Sequence, residues 1–281
     1  MYQLTSKNIN DYHDDGLLII RDIFSKETIR DILNDSKEIF IHQIKANNIS
    51  NGVYNNDNQF KEDLFELFKK NYDAFLGAAK LCQHSISLFK ASTDATLLNL
   101  LNQLGIRKPS ICVKPIIYFN SKHLAKMESH YRMPIHQDYR SMLGSSNSIV
   151  IWLPLVDLNY DLGPVEFVPG SHKNGIYETE THEWGRCINH KFFHDDSFIS
   201  YEMKPGDLVL FSAFTVHRSG NNISNDVRWS MHFRYNDIEE NNFIDRNYPH
   251  PYQVYTPTFK SNDNLEKLKF SKSKLFSINH E

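Results

Sequence analysis

His136-Gln137-Asp138, Ser148-Ile149-Val150-Ile151-Trp152-Leu153, Pro205-Gly206-Asp207, Leu208-Val209-Leu210-Phe211, His217 and Arg228, in that order, set the fold. In an extended segment residues i and i+2 point to the same face. His136 and Asp138 therefore aim an imidazole and a carboxylate into one space, provided the segment is a strand. His217, supplied from a distant strand, completes two histidines and one carboxylate. Such a set leaves positions of an octahedral metal open and marks non-haem Fe(II) oxygenases. An isolated His-x-Asp is weak evidence and more often decorates a surface strand. Joined to a late histidine and an arginine eleven residues after it, the pattern is far more specific.

Arg228 is separated from His217 by the turn residues Ser219-Gly220-Asn221-Asn222. A hairpin there places Arg228 on the neighbouring strand, facing the same cavity. A guanidinium recognises a carboxylate in a bidentate way and stays charged when buried. The distal carboxylate of a 2-oxo acid chelating the metal falls about where such an arginine sits, and the Ser219 hydroxyl can add a hydrogen bond. His172 competes for the third-ligand role. It follows Pro169-Gly170-Ser171, however, and is read as a turn histidine that packs locally. His123, His130 and His232 are read as exposed or hydrogen-bonded, Cys112 and Cys187 as packing residues.

Before this stretch the pattern is helical. Residues 12–24 read as a turn at Asp15-Gly16 followed by a short apolar strand. Ser25 is placed as the N-cap of a helix whose Ile29, Ile32, Leu33, Ile39 and Phe40 share one face. An Asn-rich loop follows over 47–58, then helices over 61–70, 72–90 and about 93–104, with Gly105 as a stop. After Pro109 short β-runs alternate with Gly/Pro/Asn turns: 111–120, 135–139, 148–158, 165–170, 207–214 and 227–235. This predicts a mainly β protein with peripheral helices, a double-sheet jelly roll whose helical N-terminal third packs on one sheet. The expected organisation is one domain over residues 1–281, with its core at about 10–240. The segments 47–58, 121–134 and 178–198 are candidate lids over the site.

Composition agrees with a globular chain: 281 residues, 40% hydrophobic and 13% aromatic. A net charge of -3 gives no bulk reason to expect nucleic-acid or membrane partners. The three cysteines are scattered without a CxxC, so neither a disulfide framework nor a thiolate zinc site is indicated. The polar N-terminus and the absence of a long apolar run make a cytoplasmic protein the expectation. Nothing in the sequence speaks to oligomeric state.

Taken together these residues resemble the phytanoyl-CoA dioxygenase family of Fe(II)/2-oxoglutarate oxygenases. The resemblance is carried by Asp15-Gly16 with its strand, His136-Gln137-Asp138, Gly163-Pro164 leading to Pro169-Gly170-Ser171-His172, Pro205-Gly206-Asp207, and His217-x-Ser219-x-x-Asn222 with Arg228. It spans roughly residues 10 to 240 and implies a double-stranded β-helix, the jelly roll reached above by pattern. It further implies iron at His136, Asp138 and His217, and 2-oxoglutarate held by Arg228 and Ser219 with Trp152 lining the site. O2 is then the oxidant, with succinate and CO2 as products. Asp138 fills the position a halide would need, which favours hydroxylation over halogenation; desaturation, cyclisation and epimerisation use the same triad.

The substrate implied is a small metabolite. Arg140, two residues beyond Asp138, and Arg234, on the alternating face of Arg228, Ser230 and His232, are candidates to bind it. Two arginines suit an anionic or polyhydroxylated compound such as a sugar, sugar acid or amino-acid derivative. Both arginines are as readily read as partners of Asp or Glu at the sheet ends. An acyl-CoA is the alternative within the family. Two other classes share the scaffold: a zinc- or manganese-dependent hydrolase or isomerase, and a non-catalytic jelly-roll binding protein.

Overall fold

The computed structural model describes residues 2–127, 131–182 and 185–249. His130 lies outside them, as do parts of the candidate lids 121–134 and 178–198. The chain divides into two units, Met1–Pro251 and Tyr252–Glu281; every described residue belongs to the first.

Helix α1 (Ser6–Asp15) is capped by Thr5 and stopped by Gly16, whose φ of 72° is left-handed. Strand β1 (Leu17–Ile20) follows, then α2 (Lys26–Ala46), where the Ser25 side chain accepts from the Thr28 amide as the cap requires. Its buried face is Ile29, Ile32, Ser36, Phe40 and Ile44; Leu33 and Ile39 are half-buried on its flanks. Helices α3 (Asp57–Lys70), α4 (Tyr72–Cys82), α5 (Ile86–Ser92) and α6 (Ala95–Gln103) complete the helical third. The single helix expected over 72–90 is thus two, because Ser85 takes an extended N-cap conformation and opens a new helix.

Strands β2 (Pro109–Ile111) and β3 (Ile116–Asn120) divide the expected strand 111–120 around Pro115, which has no N–H to give a ladder. Next come the four-residue helix α7 (Tyr139–Met142), β4 (Ile149–Pro154), β5 (Val165–Phe167), β6 (Thr179–His182), β7 (Gly185–Ile188), β8 (Ile199–Ser200), β9 (Leu208–Ser212), β10 (His217–Ser219), β11 (Arg228–Asp237) and α8 (Asn241–Asp245). A six-stranded sheet runs β1-β9-β4-β11-β2, with β3 also on β11; a three-stranded sheet runs β10-β5-β8. All pairings in these two sheets are antiparallel.

Alternation along the central strands shows why these runs are apolar throughout. Ile149, Ile151 and Leu153 of β4, with Leu208 and Leu210 of β9, join a core made with Ile32, Phe40, Leu64 and Leu100 of the helices. Val150, Trp152, Val209 and Phe211 point the other way and form a second core with Val165, Phe167 and Met203. The large sheet is therefore buried on both faces, by helices on one side and the small sheet on the other. Strand β11 departs from this in one respect. Trp229, Met231, Phe233 and Tyr235 face the helices, whereas the alternate residues Arg228, Ser230, His232 and Arg234 face between the sheets.

The turn motifs tie the ends of the sandwich. The Gly16 carbonyl accepts from the Ser212 amide at 2.9 Å and the Thr215 hydroxyl at 2.7 Å. A Cβ on Gly16 would lie 2.3 Å from His172 Nδ1, so only glycine lets the Pro169–His172 turn dock there. Asp207 accepts from the amides of Asp22 and Lys204 and from Arg21, joining the Pro205-Gly206-Asp207 turn to the segment after β1. Among the described residues no helix is long and apolar enough to cross a membrane.

Ile151 is fully buried and cross-paired with both Phe233 and Leu210. Ile151→Ala is expected to cost about 2–5 kcal/mol, read as a lower urea midpoint with an unchanged slope.

Candidate active site

His136 and His217 meet through a short antiparallel bridge. The amide of each donates to the carbonyl of the other, at 3.0 and 3.1 Å. Two residues paired in this way project from the same face, and their ring centroids stand 4.2 Å apart. In each ring Nδ1 sits beside a carbonyl two residues back, Pro134 O at 2.8 Å and Thr215 O at 3.0 Å. A carbonyl only accepts, so Nδ1 carries the proton and Nε2 presents its lone pair to the cavity. Asp138 completes the cluster: its Oδ1 is 3.9 Å from His136 Nε2, and the ligating atoms of the three residues lie within 4.8 Å of one another.

The extended geometry assumed for the whole of His136–Asp138 holds only at its start. Asp138 has φ -66° and ψ -26° and caps α7, and its carbonyl accepts from the Ser141 and Met142 amides. Gln137, between the ligands, clamps the backbone: its amide nitrogen donates to Gly175 O and Phe214 O, and its oxygen accepts from the Tyr177 amide.

Burial sets the charge states. It pushes His217 down to about 3, with His136 alongside adding to the effect. His136 is also lowered, burial outweighing the attraction of Asp138. Burial alone would raise Asp138, but the Arg234 guanidinium and the two imidazoles hold it well below the usual carboxylate range. Two neutral imidazoles and a carboxylate are the protonation states a divalent metal requires. Three such donors, with no fourth in the cluster among the described residues, fit Fe(II) with open positions.

Arg228 lies across the sandwich from His217. β10 belongs to the small sheet and β11 to the large one, so the expected hairpin between neighbouring strands does not form. Residues 220–227 instead cross from one sheet to the other. That crossing is held by Asn222, whose side-chain nitrogen donates to Asn120 O and Asp226 O. Arg228 is 2% exposed. Its Nη1 donates to Gly163 O, its Nε has no partner, and no carboxylate pairs with it among the described residues. Burial pulls its pKa down to about 10, so it is still a cation at neutral pH. Trp152 Nε1 and Ser230 Oγ are likewise buried without partners, and Trp152 stands 5.9 Å from the Arg228 guanidinium carbon. A buried cation with unpartnered donors on the same face of the large sheet fits the distal carboxylate of 2-oxoglutarate. Ser219, two residues beyond His217 on β10, is half-buried on the same strand face.

Of the two candidate substrate arginines, Arg234 pairs with an aspartate, as the alternative reading had it, while Arg140 pairs with a backbone carbonyl. Asp138 begins a helix, and two residues along a helix point to nearly opposite sides. Arg140 accordingly leaves the cavity face and donates to Tyr177 O at 2.7 Å. Arg234 does face the site, but its fork grips Asp138 itself, Nε to Oδ2 at 3.2 Å and Nη2 to Oδ1 at 3.1 Å. His172 is outside the triad, its Nε2 against His13 O at 3.1 Å. Tyr118, unnoticed in the sequence, faces the cavity because β3 sets it opposite Ser230, and its ring stacks on His232 at 5.6 Å. Only the strand register carries that signal.

The sequence profile of the family "Phytanoyl-CoA dioxygenase (PhyH)" matches residues 12–230. The chain belongs to the phytanoyl-CoA dioxygenase family. It is 25% identical to the phytanoyl-CoA dioxygenase of Arabidopsis thaliana over 260 residues, covering 82% of this chain and 88% of that protein. It is 30% identical over 118 residues to a 1-deoxypentalenic acid 11-beta-hydroxylase of Streptomyces exfoliatus. That match takes in 38% of this chain and only 42% of the hydroxylase. Among solved structures, the carbocyclase SnoK from nogalamycin biosynthesis, described as non-haem and alpha-ketoglutarate dependent, aligns with a TM-score of 0.57 at 16% identity, over 90% of this chain and 94% of its own. EctD from S. alaskensis, solved with 2-oxoglutarate and 5-hydroxyectoine, aligns at 0.55 and 14%, over 84% and 77%. At these identities the likeness is one of fold, and the family jelly roll is the fold found here.

The His217 ring stays neutral when folded but takes up a proton near its ordinary value of 6.5 when unfolded. Its contribution to stability is complete above that value and is lost as the pH falls from 6.5 towards about 3. Denaturant melts in EDTA should show stability falling between pH 7 and 5, with a shallower slope for His217→Gln; equal slopes would refute the assignment.

Proposed function

We propose that this protein is an Fe(II)- and 2-oxoglutarate-dependent dioxygenase that hydroxylates an unactivated C–H bond of a small metabolite. The observation that carries this is the buried Arg228, a cation without a carboxylate partner among the described residues, on the same face of β11 from which Arg234 reaches Asp138 of the His136, Asp138 and His217 cluster. A metal-dependent hydrolase or isomerase needs no 2-oxo acid, so in that reading the cation would require some other anion. A scaffold without activity would have no reason to keep an uncompensated buried charge.

In this reading His136 Nε2, Asp138 Oδ1 and His217 Nε2 hold the metal. Arg228, with Ser219 and Trp152 beside it, binds the distal carboxylate of 2-oxoglutarate. With O2, the iron and co-substrate supply an oxidative decarboxylation that yields succinate and CO2 and oxidises the substrate. The protein's part is to fix these groups and exclude water. The Nδ1 carbonyl contacts fix the imidazole tautomers, and Trp152, Phe167 and Phe211 close the space between the sheets. Asp138 occupies the place a halide would take, which favours hydroxylation.

For the substrate we favour a polar metabolite, such as a sugar, sugar acid or amino-acid derivative, over an acyl-CoA. Ser230, His232 and Tyr118 supply a polar wall. Arg140 and Arg234 drop out of this reading, because backbone and Asp138 already hold them. A cytoplasmic setting suits the three buried free thiols, Cys82, Cys112 and Cys187.

Succinate release from 2-oxoglutarate under air, with Fe(II), ascorbate and no added substrate, tests the activity. Slow turnover that disappears in His136→Ala is expected; none in either protein would sink the proposal. Arg228→Met should weaken 2-oxoglutarate by about 2–5 kcal/mol in calorimetry with Mn(II). The same variant should be no less stable than the parent in EDTA, since it removes an unpaired buried charge.

A further inference from the structure

The carboxylate of Asp138 is 4% exposed, yet no backbone amide donates to it among the described residues. Among the described residues its hydrogen bonds come from Arg234 alone, Nε on one oxygen at 3.2 Å and Nη2 on the other at 3.1 Å. Oδ1, the oxygen 3.9 Å from His136 Nε2, is therefore turned towards the imidazoles while the fork retains both oxygens. Asp138 itself sits where the His136 bridge gives way to a helix of four residues, a weak local support. Arg234 sits on the ten-residue strand β11, paired with Val150 of β4, and its carbonyl accepts from the Cys112 amide at 2.9 Å. Its planar fork can pass the rigidity of that strand to the carboxylate.

We propose that Arg234 is a positioning residue: its guanidinium, gripping both oxygens of Asp138, selects the oxygen that faces His136 and His217 and holds it for a divalent metal. This rests on the metal-site reading above. It also carries a sign. A fixed positive charge beside a cation opposes binding, so if Arg234 acted only through its charge, removing it would tighten the metal. If it acts by orientation, removing it weakens the metal, as loss of an outer partner of a ligand does. A lysine keeps the charge but cannot span both oxygens.

The test is Mn(II) binding to the full chain, followed by electron paramagnetic resonance, for the parent, His136→Ala, Arg234→Met and Arg234→Lys. The parent should bind and His136→Ala should not. Both Arg234 variants should bind roughly ten- to a hundredfold more weakly, and Arg234→Met should also melt lower in EDTA, since it leaves the buried Asp138 carboxylate without its ion-pair partner. Should Arg234→Met fail to fold, Arg234→Lys decides. Mn(II) affinity equal to or tighter than the parent's in a folded Arg234 variant overturns the positioning role. Equal binding by the parent and His136→Ala overturns the metal site itself, which is a distinct result.

Discussion

Two backbone hydrogen bonds, exchanged between His136 and His217, are the constraint on which the site depends. Side chains on paired strands alternate with a period of two, so a slip of one residue would turn the slipped strand's ring out of the site and part the two histidines. The surroundings are arranged to prevent that slip. Val168 continues the pairing by donating to Val216 O at 2.9 Å, and Ser171 Oγ receives the Val216 amide at the same distance. Gln137 commits its whole amide to backbone at Gly175, Phe214 and Tyr177. Residues between and beside the histidines thus serve register, while the histidines themselves are free at Nε2.

The second constraint is charge. Asp138, Arg228 and Arg234 all face a space enclosed by two sheets, where desolvation penalises every ion. Asp138 and Arg234 answer each other; Arg228 has no answer within the described protein. Folding tolerates this because the large sheet is buried on both faces, so its packing carries a local cost at one end of β11. A site that holds one ion pair and one spare cation is already shaped for an anion beside a metal. Arg140 is half-buried and donates to the Tyr177 carbonyl.

Alternation and helical period determined a good deal from sequence alone. The N-cap at Ser25, the buried stripe of α2 and the facing set Arg228, Ser230, His232 and Arg234 follow from local periodicity, and motif order singled out His136, Asp138 and His217 as a set. Tertiary structure decided what depends on pairing between distant segments. The break at Asp138, which sends Arg140 away, comes from a helix only four residues long, too short for a periodic signal. That β10 and β11 lie in different sheets depends on the crossing of residues 220–227, whose turn residues suit a hairpin equally well. Tyr118 enters the cavity, and Arg234 meets Asp138, only because β11 pairs with β3 on one side and β4 on the other. A sequence records which side of its own strand a residue takes; which strand stands opposite is set by contacts far along the chain.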